Sequence, residues 1–127
     1  MTWVKTGTVL LIRRTAGLCL VPAIATVVLG ELSPALEFHH VWDKALHFVA
    51  YFGLAGLAAI AFSRKQSVCA FVGLVVLGAA LEILQRFTGR DPSFHDEVAN
   101  VIGAVVGLAI GRGAIAVLIL NSMEDRA

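Results

Sequence analysis

A small set of polar residues stands in a chain that is otherwise close to pure hydrocarbon: Asp43, Lys44, His47 and Tyr51, then Glu82, Gln85 and Arg90, then Asp96 and Asn100. An ionisable side chain within a membrane segment costs roughly 2.5–3.5 kcal/mol on insertion scales, so it persists mainly where a partner or a task offsets that cost. The residue types permit acid-base chemistry. His47 is a candidate general acid or base, with Glu82 or Asp96 as its orienting carboxylate and Arg90 as an anion anchor. His47, Glu82 and Asp96 are therefore the candidate catalytic residues, but no nucleophile motif accompanies them and a non-enzymatic role fits the chain better.

Two other chemistries are weaker in the sequence. Metal binding would draw on His39, His40, His47 or His95 with Asp43, Glu82 or Asp96. No H-x-x-x-H or H-E-x-x-H pairing is present, so neither a metal nor a cofactor is expected, and His39 and His40 read as exposed loop residues. Lys44, Arg86 and Arg90 form a charge cluster that would suit phosphate, although interfacial arginines more commonly snorkel to headgroups. The bland alternative is structural glue, with His47 pairing to Asp43 or Asn100 to Glu82 to fix the bundle. One or two such pairs suffice for a small bundle, and the set here is larger.

The elements that position these residues follow from composition. A chain of 127 residues that is 58% hydrophobic and 15% charged, with mean hydropathy +0.85, departs from the roughly 25% charged content of soluble domains. It reads as one integral membrane domain spanning residues 1–127, in contact with membrane lipid. A net charge of +1 without basic runs gives no sign of nucleic-acid binding. Cys19 and Cys69 lie in apolar stretches without metal-type spacing and read as packing residues.

Four continuously apolar stretches, Thr15–Leu29, Ala45–Phe62, Val68–Leu84 and Val98–Ile110, predict an all-α bundle of four transmembrane helices. Helix 1 is expected to follow Arg13 and Arg14 and to kink at Pro22. The Arg13-Arg14 pair ahead of an apolar run, with Ala23 and Ala25 in an A-x-A arrangement, mimics a secretory signal, but cleavage there would leave a very short apolar core. Residues 63–67 read as a tight basic turn and residues 86–96 as a longer loop. Arg112, about 27 Å of helix rise beyond Phe94, is placed as a side chain snorkelling at the far interface.

Basic residues in short loops stay cytoplasmic. Lys5, Arg13, Arg14, Arg64, Lys65, Arg112 and Arg126 fall on one side, and Lys44, Arg86 and Arg90 on the other. Both termini are thereby assigned to the cytoplasm and the polar set to the outer face, together with Glu31, Glu37, Asp91 and Glu97. At 100° per residue, Asp43, Lys44, His47 and Tyr51 share an arc of about 100° on helix 2. Asp96, Asn100, Gly103, Gly107 and Gly111 share about 80° on helix 4. The three glycines form a G-x-x-x-G seam suited to close helix packing, within the chain or between copies, so a homo-oligomer is compatible with the pattern.

The run Asp43-Lys44-Ala45-Leu46-His47-Phe48-Val49-Ala50-Tyr51-Phe52, then Glu82-Ile83-Leu84-Gln85, then Arg90, then Asp96 with Asn100, Gly103 and Gly107, resembles the VanZ-like family of bacterial membrane proteins. The resemblance covers roughly residues 33–111, with His95 standing where a hydroxyl or apolar residue is usual. It implies a multi-pass protein of the bacterial cell membrane and envelope, whose namesake is associated with resistance to the glycopeptide teicoplanin. It also implies that Asp43, Lys44, His47, Tyr51, Glu82, Gln85, Arg90, Asp96 and Asn100 are the characteristic residues. The expected function is binding of an amphiphile, a lipid headgroup or a lipopeptide tail, at the outward polar mouth. The alternatives are an intramembrane enzyme acting on a lipid headgroup and an assembly partner of another membrane protein.

Overall fold

The computed structural model describes residues 2–33 and 40–124. Among them the chain folds into four α-helices: α1 (Thr2–Glu31), α2 (His40–Ala61), α3 (Arg64–Gln85) and α4 (Phe94–Glu124). Each contains a segment long and apolar enough to cross a membrane: Gly7–Glu31, Trp42–Ala61, Arg64–Gln85 and Phe94–Met123. The large apolar side chains left exposed, such as Leu18, Val21, Val72, Val76 and Ile102, are the surface that lipid would cover.

The tightest packing joins α2 to α4. Gly103, Gly107 and Gly111 lie against the backbones of Phe48, Phe52 and Gly56 respectively, a register of four residues on both helices. A Cβ built at Gly111 would stand 2.7 Å from the Gly56 carbonyl oxygen and 2.8 Å from Ala59 Cβ, and one at Gly103 or Gly107 would collide with the carbonyl above it. The seam thus has its partner within the same chain. Beside it, Leu20, Tyr51, Leu54, Ala55, Ala58, Leu74 and Ala104 form the buried core.

Several helix limits differ from the sequence expectation, for identifiable reasons. α1 begins at Thr2 and runs on through Pro22, so Arg13 and Arg14 lie inside it rather than ahead of it. Arg13 Nε donates to the Ala61 carbonyl at 3.2 Å, and Arg112 Nη1 donates to the carbonyls of Ala59 and Phe62 at 3.3 and 3.2 Å. Both arginines therefore satisfy carbonyls that the end of α2 leaves without intrahelical donors, and Arg112 is turned to the protein instead of reaching outward. α4 continues beyond it to Glu124.

Residues 64–67 are the first turn of α3 rather than a loop. Ser63 caps that helix, accepting from Gln66 N while Gln66 Oε1 accepts from Ser63 N at 3.0 Å, a reciprocal capping box. His40 is the first residue of α2, not part of a loop. Glu37, His39 and Arg126, and the side chains of Lys5 and His40, lie outside the described residues.

Candidate functional site

The helix order brings one polar layer together at the end of the bundle opposite Arg13, Arg64 and Arg112. α1 supplies Glu31 at its last residue, and α2 supplies Asp43, His47 and Tyr51 from successive turns. α3 supplies Glu82 and Gln85 from its final turn, the following loop supplies Arg90, and α4 supplies Asp96, Glu97 and Asn100 from its start. Glu31, His47, Gln85, Asp96 and Asn100 are buried.

His47 is the hub. Its Nδ1 lies 3.1 Å from Asn100 Oδ1 and 3.5 Å from Glu31 Oε1, while its Nε2 lies 4.0 Å from Asp43 Oδ1. Asn100 Nδ2 donates to Glu97 Oε2 at 3.2 Å, which fixes the amide so that Oδ1 is the acceptor facing the ring. The group that holds His47 is thus the Asn100 amide rather than Glu82 or Asp96. Glu82 Oε1 instead accepts a hydrogen bond from the Ser93 backbone N–H, which ties the start of α4 to the end of α3.

Arg90 acts as a three-way pin. Its Nη2 donates to Asp43 Oδ1 at 3.1 Å, and its Nη1 donates to the carbonyls of Gly30 and Glu31 at 3.4 and 3.1 Å. Gln85 Nε2 also donates to the Glu31 carbonyl, at 3.2 Å. The C-terminal carbonyls of α1 are therefore held by two side chains, one from the last residue of α3 and one from the loop after it. Gly89, at φ +82°, makes the left-handed turn that returns the loop to this position.

A cavity of about 170 Å³ opens between α1 and α2. Val27, Leu46 and Ala50 form its apolar wall, and Glu31, Asp43, His47 and Arg90 line its polar end. Both carboxylate oxygens of Glu31, the hydroxyl of Tyr51 and Glu82 Oε2 are buried without a hydrogen-bond partner among the described residues. Tyr51 lies within electrostatic reach of Glu31, Glu82 and Glu97, and Gly78 of α3 leaves room for its hydroxyl and for the Glu97–Asn100 pair, which a Cβ there would meet.

Of the residues singled out in the sequence, Asp43, His47, Tyr51, Glu82, Gln85, Arg90, Asp96 and Asn100 all reach this layer. Lys44 does not line the cavity; it is exposed at the edge of the α2 arc and reaches the layer only through its field at Asp96. His95 is exposed as well. Two contributors, Glu31 and Glu97, are assigned by the sequence to the same side of the membrane but not to the candidate site. Glu97 had a usable signal, three residues before Asn100 on one helix face; Glu31 had only its position at a membrane rim. No family model matches the chain, and neither a curated protein nor a solved structure matches it.

Proposed function

We propose that this chain is a VanZ-like protein of a bacterial cell membrane that receives the polar head of an amphiphile at its outward mouth while the acyl tail lies against the apolar wall. The observation that carries this reading is the two-ended cavity, apolar at Val27, Leu46 and Ala50 and polar at Glu31, Asp43, His47 and Arg90. Ligand sites combine apolar walls with a few fixed polar groups in this way. At about 170 Å³ it suits a headgroup fragment, with the tail passing out along α2, where Leu46 and Val49 are 48% and 60% exposed.

The charge balance shapes the ligand. Arg90 is already engaged by Asp43 and by two carbonyls, so the acidic groups are the ones left to recognise a partner, and an amine-bearing head complements them. Outward placement rests on the basic residues at the opposite end, which favour the cytoplasm.

The test is teicoplanin dose response in a sensitive Gram-positive host expressing the wild type, His47→Ala or Ala50→Phe at matched membrane abundance. Protection by the wild type that both variants lose is expected, the first by removing the hub and the second by filling the apolar wall. A wild type that gives no protection, or variants that protect equally, would overturn the reading.

A further inference from the structure

The polar layer holds more carboxyl groups than cationic ones. Glu31, Asp43, Glu82, Asp96 and Glu97 contribute five carboxyl groups, against the guanidinium of Arg90, the imidazole of His47 and the outlying field of Lys44. Buried charge of one sign is costly unless something of the other sign lies among it.

The hydrogen bonds indicate where that charge belongs. Because the Asn100 amide is oriented by Glu97, its Oδ1 accepts from His47, and Nδ1 carries the hydrogen. In its neutral form the imidazole presents its Nε2 lone pair to the Asp43 oxygen 4.0 Å away, a gap that a proton on Nε2 or a metal ion fills. A histidine whose far nitrogen is held by an amide oxygen, with its near nitrogen free, is the arrangement that second-shell partners impose on a metal ligand.

A ring nitrogen of His47 and one carboxylate oxygen each from Asp43 and Asp96 lie within 4.8 Å of one another. Donors about 2.0–2.2 Å from a tetrahedral ion stand roughly 3.4 Å apart, and rotation of the two aspartate side chains would close the difference. Glu31 supplies an independent observation. It is only 8% exposed, its Oε1 has His47 Nδ1 3.5 Å away without a hydrogen bond, its Oε2 has no hydrogen-bond partner among the described residues, and it lines the same cavity as Asp43 and His47.

We propose that Asp43, His47 and Asp96 bind a divalent first-row transition ion, Zn²⁺ or Mn²⁺, through His47 Nε2 and one oxygen of each aspartate, with Glu31 completing the negative charge around it. One imidazole with two carboxylates lies between the sites that favour Zn²⁺ and those that favour Mn²⁺, and the imidazole disfavours Mg²⁺ and Ca²⁺, which prefer all-oxygen shells. Asp43 also accepts from Arg90 through the oxygen facing His47, so the ion and the guanidinium share that carboxylate. The sequence conceals such a site because its ligands are split, with Asp43 and His47 one turn apart on α2 and Asp96 on α4.

The experiment uses the full chain in detergent, without a histidine tag and with Cys19 and Cys69 replaced by Ser, since both thiols are exposed and would bind metal on their own. After dialysis against chelator, Zn²⁺ and Mn²⁺ are titrated in competition with a chromogenic chelator. Saturable binding at one ion per chain is expected, undisturbed by excess Mg²⁺ or Ca²⁺. His47→Gln and Asp96→Asn should each weaken it by at least about tenfold, and Asn100→Ala, which touches no ion, by about 10- to 100-fold. A second readout needs no variant: pulsed electron paramagnetic resonance of the Mn²⁺-loaded protein should show coupling to one imidazole nitrogen. Substoichiometric binding, a spectrum without nitrogen coupling, or undiminished binding in both ligand variants would overturn the proposal.

Discussion

Replacing Gly103 by Ala should destabilise the bundle and open the polar layer at once. A Cβ at this position would lie 3.0 Å from both the carbonyl carbon and the Cα of Phe48, and nearer still to its oxygen. Carbon pairs rest at about 3.5–4.0 Å, so α2 and α4 must part by at least about 0.5 Å. A radial gap of that size forfeits a quarter or more of the dispersion well, and overpacking of this kind costs about 1–3 kcal/mol.

The same displacement reaches the site, because His47 precedes Phe48 on α2 and Asn100 lies one turn before Gly103 on α4. Their 3.1 Å contact would lengthen to roughly 3.6 Å, beyond hydrogen-bond range. The assay is the fraction of monodisperse protein remaining after heating in detergent, read by size exclusion. Gly73→Ala on α3 is the control, since nothing lies within 4 Å of its Cβ position; it should gain about 0.5–1 kcal/mol from improved helix propensity. The two substitutions therefore have opposite signs. If Gly103→Ala survived heating as well as Gly73→Ala, the close approach of α2 and α4 would be refuted.

Other consequences follow from the hydrogen bonds at the two ends. Arg90→Ala leaves Asp43 with only the His47 Nε2 contact at 4.0 Å and the Glu31 carbonyl with only Gln85, and should cost about 3 kcal/mol; Arg90→Lys should rescue little, because an ammonium cannot span three acceptors as the guanidinium fork does. Proteolysis at the α1–α2 link reads both. Arg112→Ala frees the carbonyls of Ala59 and Phe62 and should cost about 1 kcal/mol at an end that water can reach, read as faster amide exchange in the last turn of α2. Glu31→Gln should stabilise the metal-free protein, since it removes the charge of a buried carboxylate whose one close ionisable neighbour is His47, 3.5 Å away, while keeping its shape; the heating assay in chelator gives the sign.

The helices were legible in the sequence because each span is continuously apolar, and lipid permits few ways to satisfy such a backbone. Their ends were not. Arg13 and Arg112 look like boundary markers when only local sequence is considered, yet each reaches across to α2, and a long side chain that caps a neighbouring helix can sit well inside its own. The shared arc of Asp43, His47 and Tyr51 followed from helical geometry alone, as did the glycine seam. Which group meets His47 depends on the depth at which α4 crosses α2, set by Gly103 against Phe48, so Asn100 could not be told from Glu82. Lys44 sits at the edge of the same arc, where a small rotation of α2 decides between cavity and exposure. Glu31 belongs to the site only because Arg90 and Gln85 draw the end of α1 inward.

In the function proposed above, the cavity between α1 and α2 binds an amphiphile by its head and its tail together. The most direct measurement is equilibrium binding of teicoplanin, and of the same glycopeptide stripped of its acyl chain, to the protein in lipid nanodiscs, comparing the wild type with Ala50→Phe. Saturable binding of the acylated form by the wild type, lost on removing the chain and lost in Ala50→Phe, is the predicted result. Binding that is indifferent to the acyl chain or to the filled wall would contradict it.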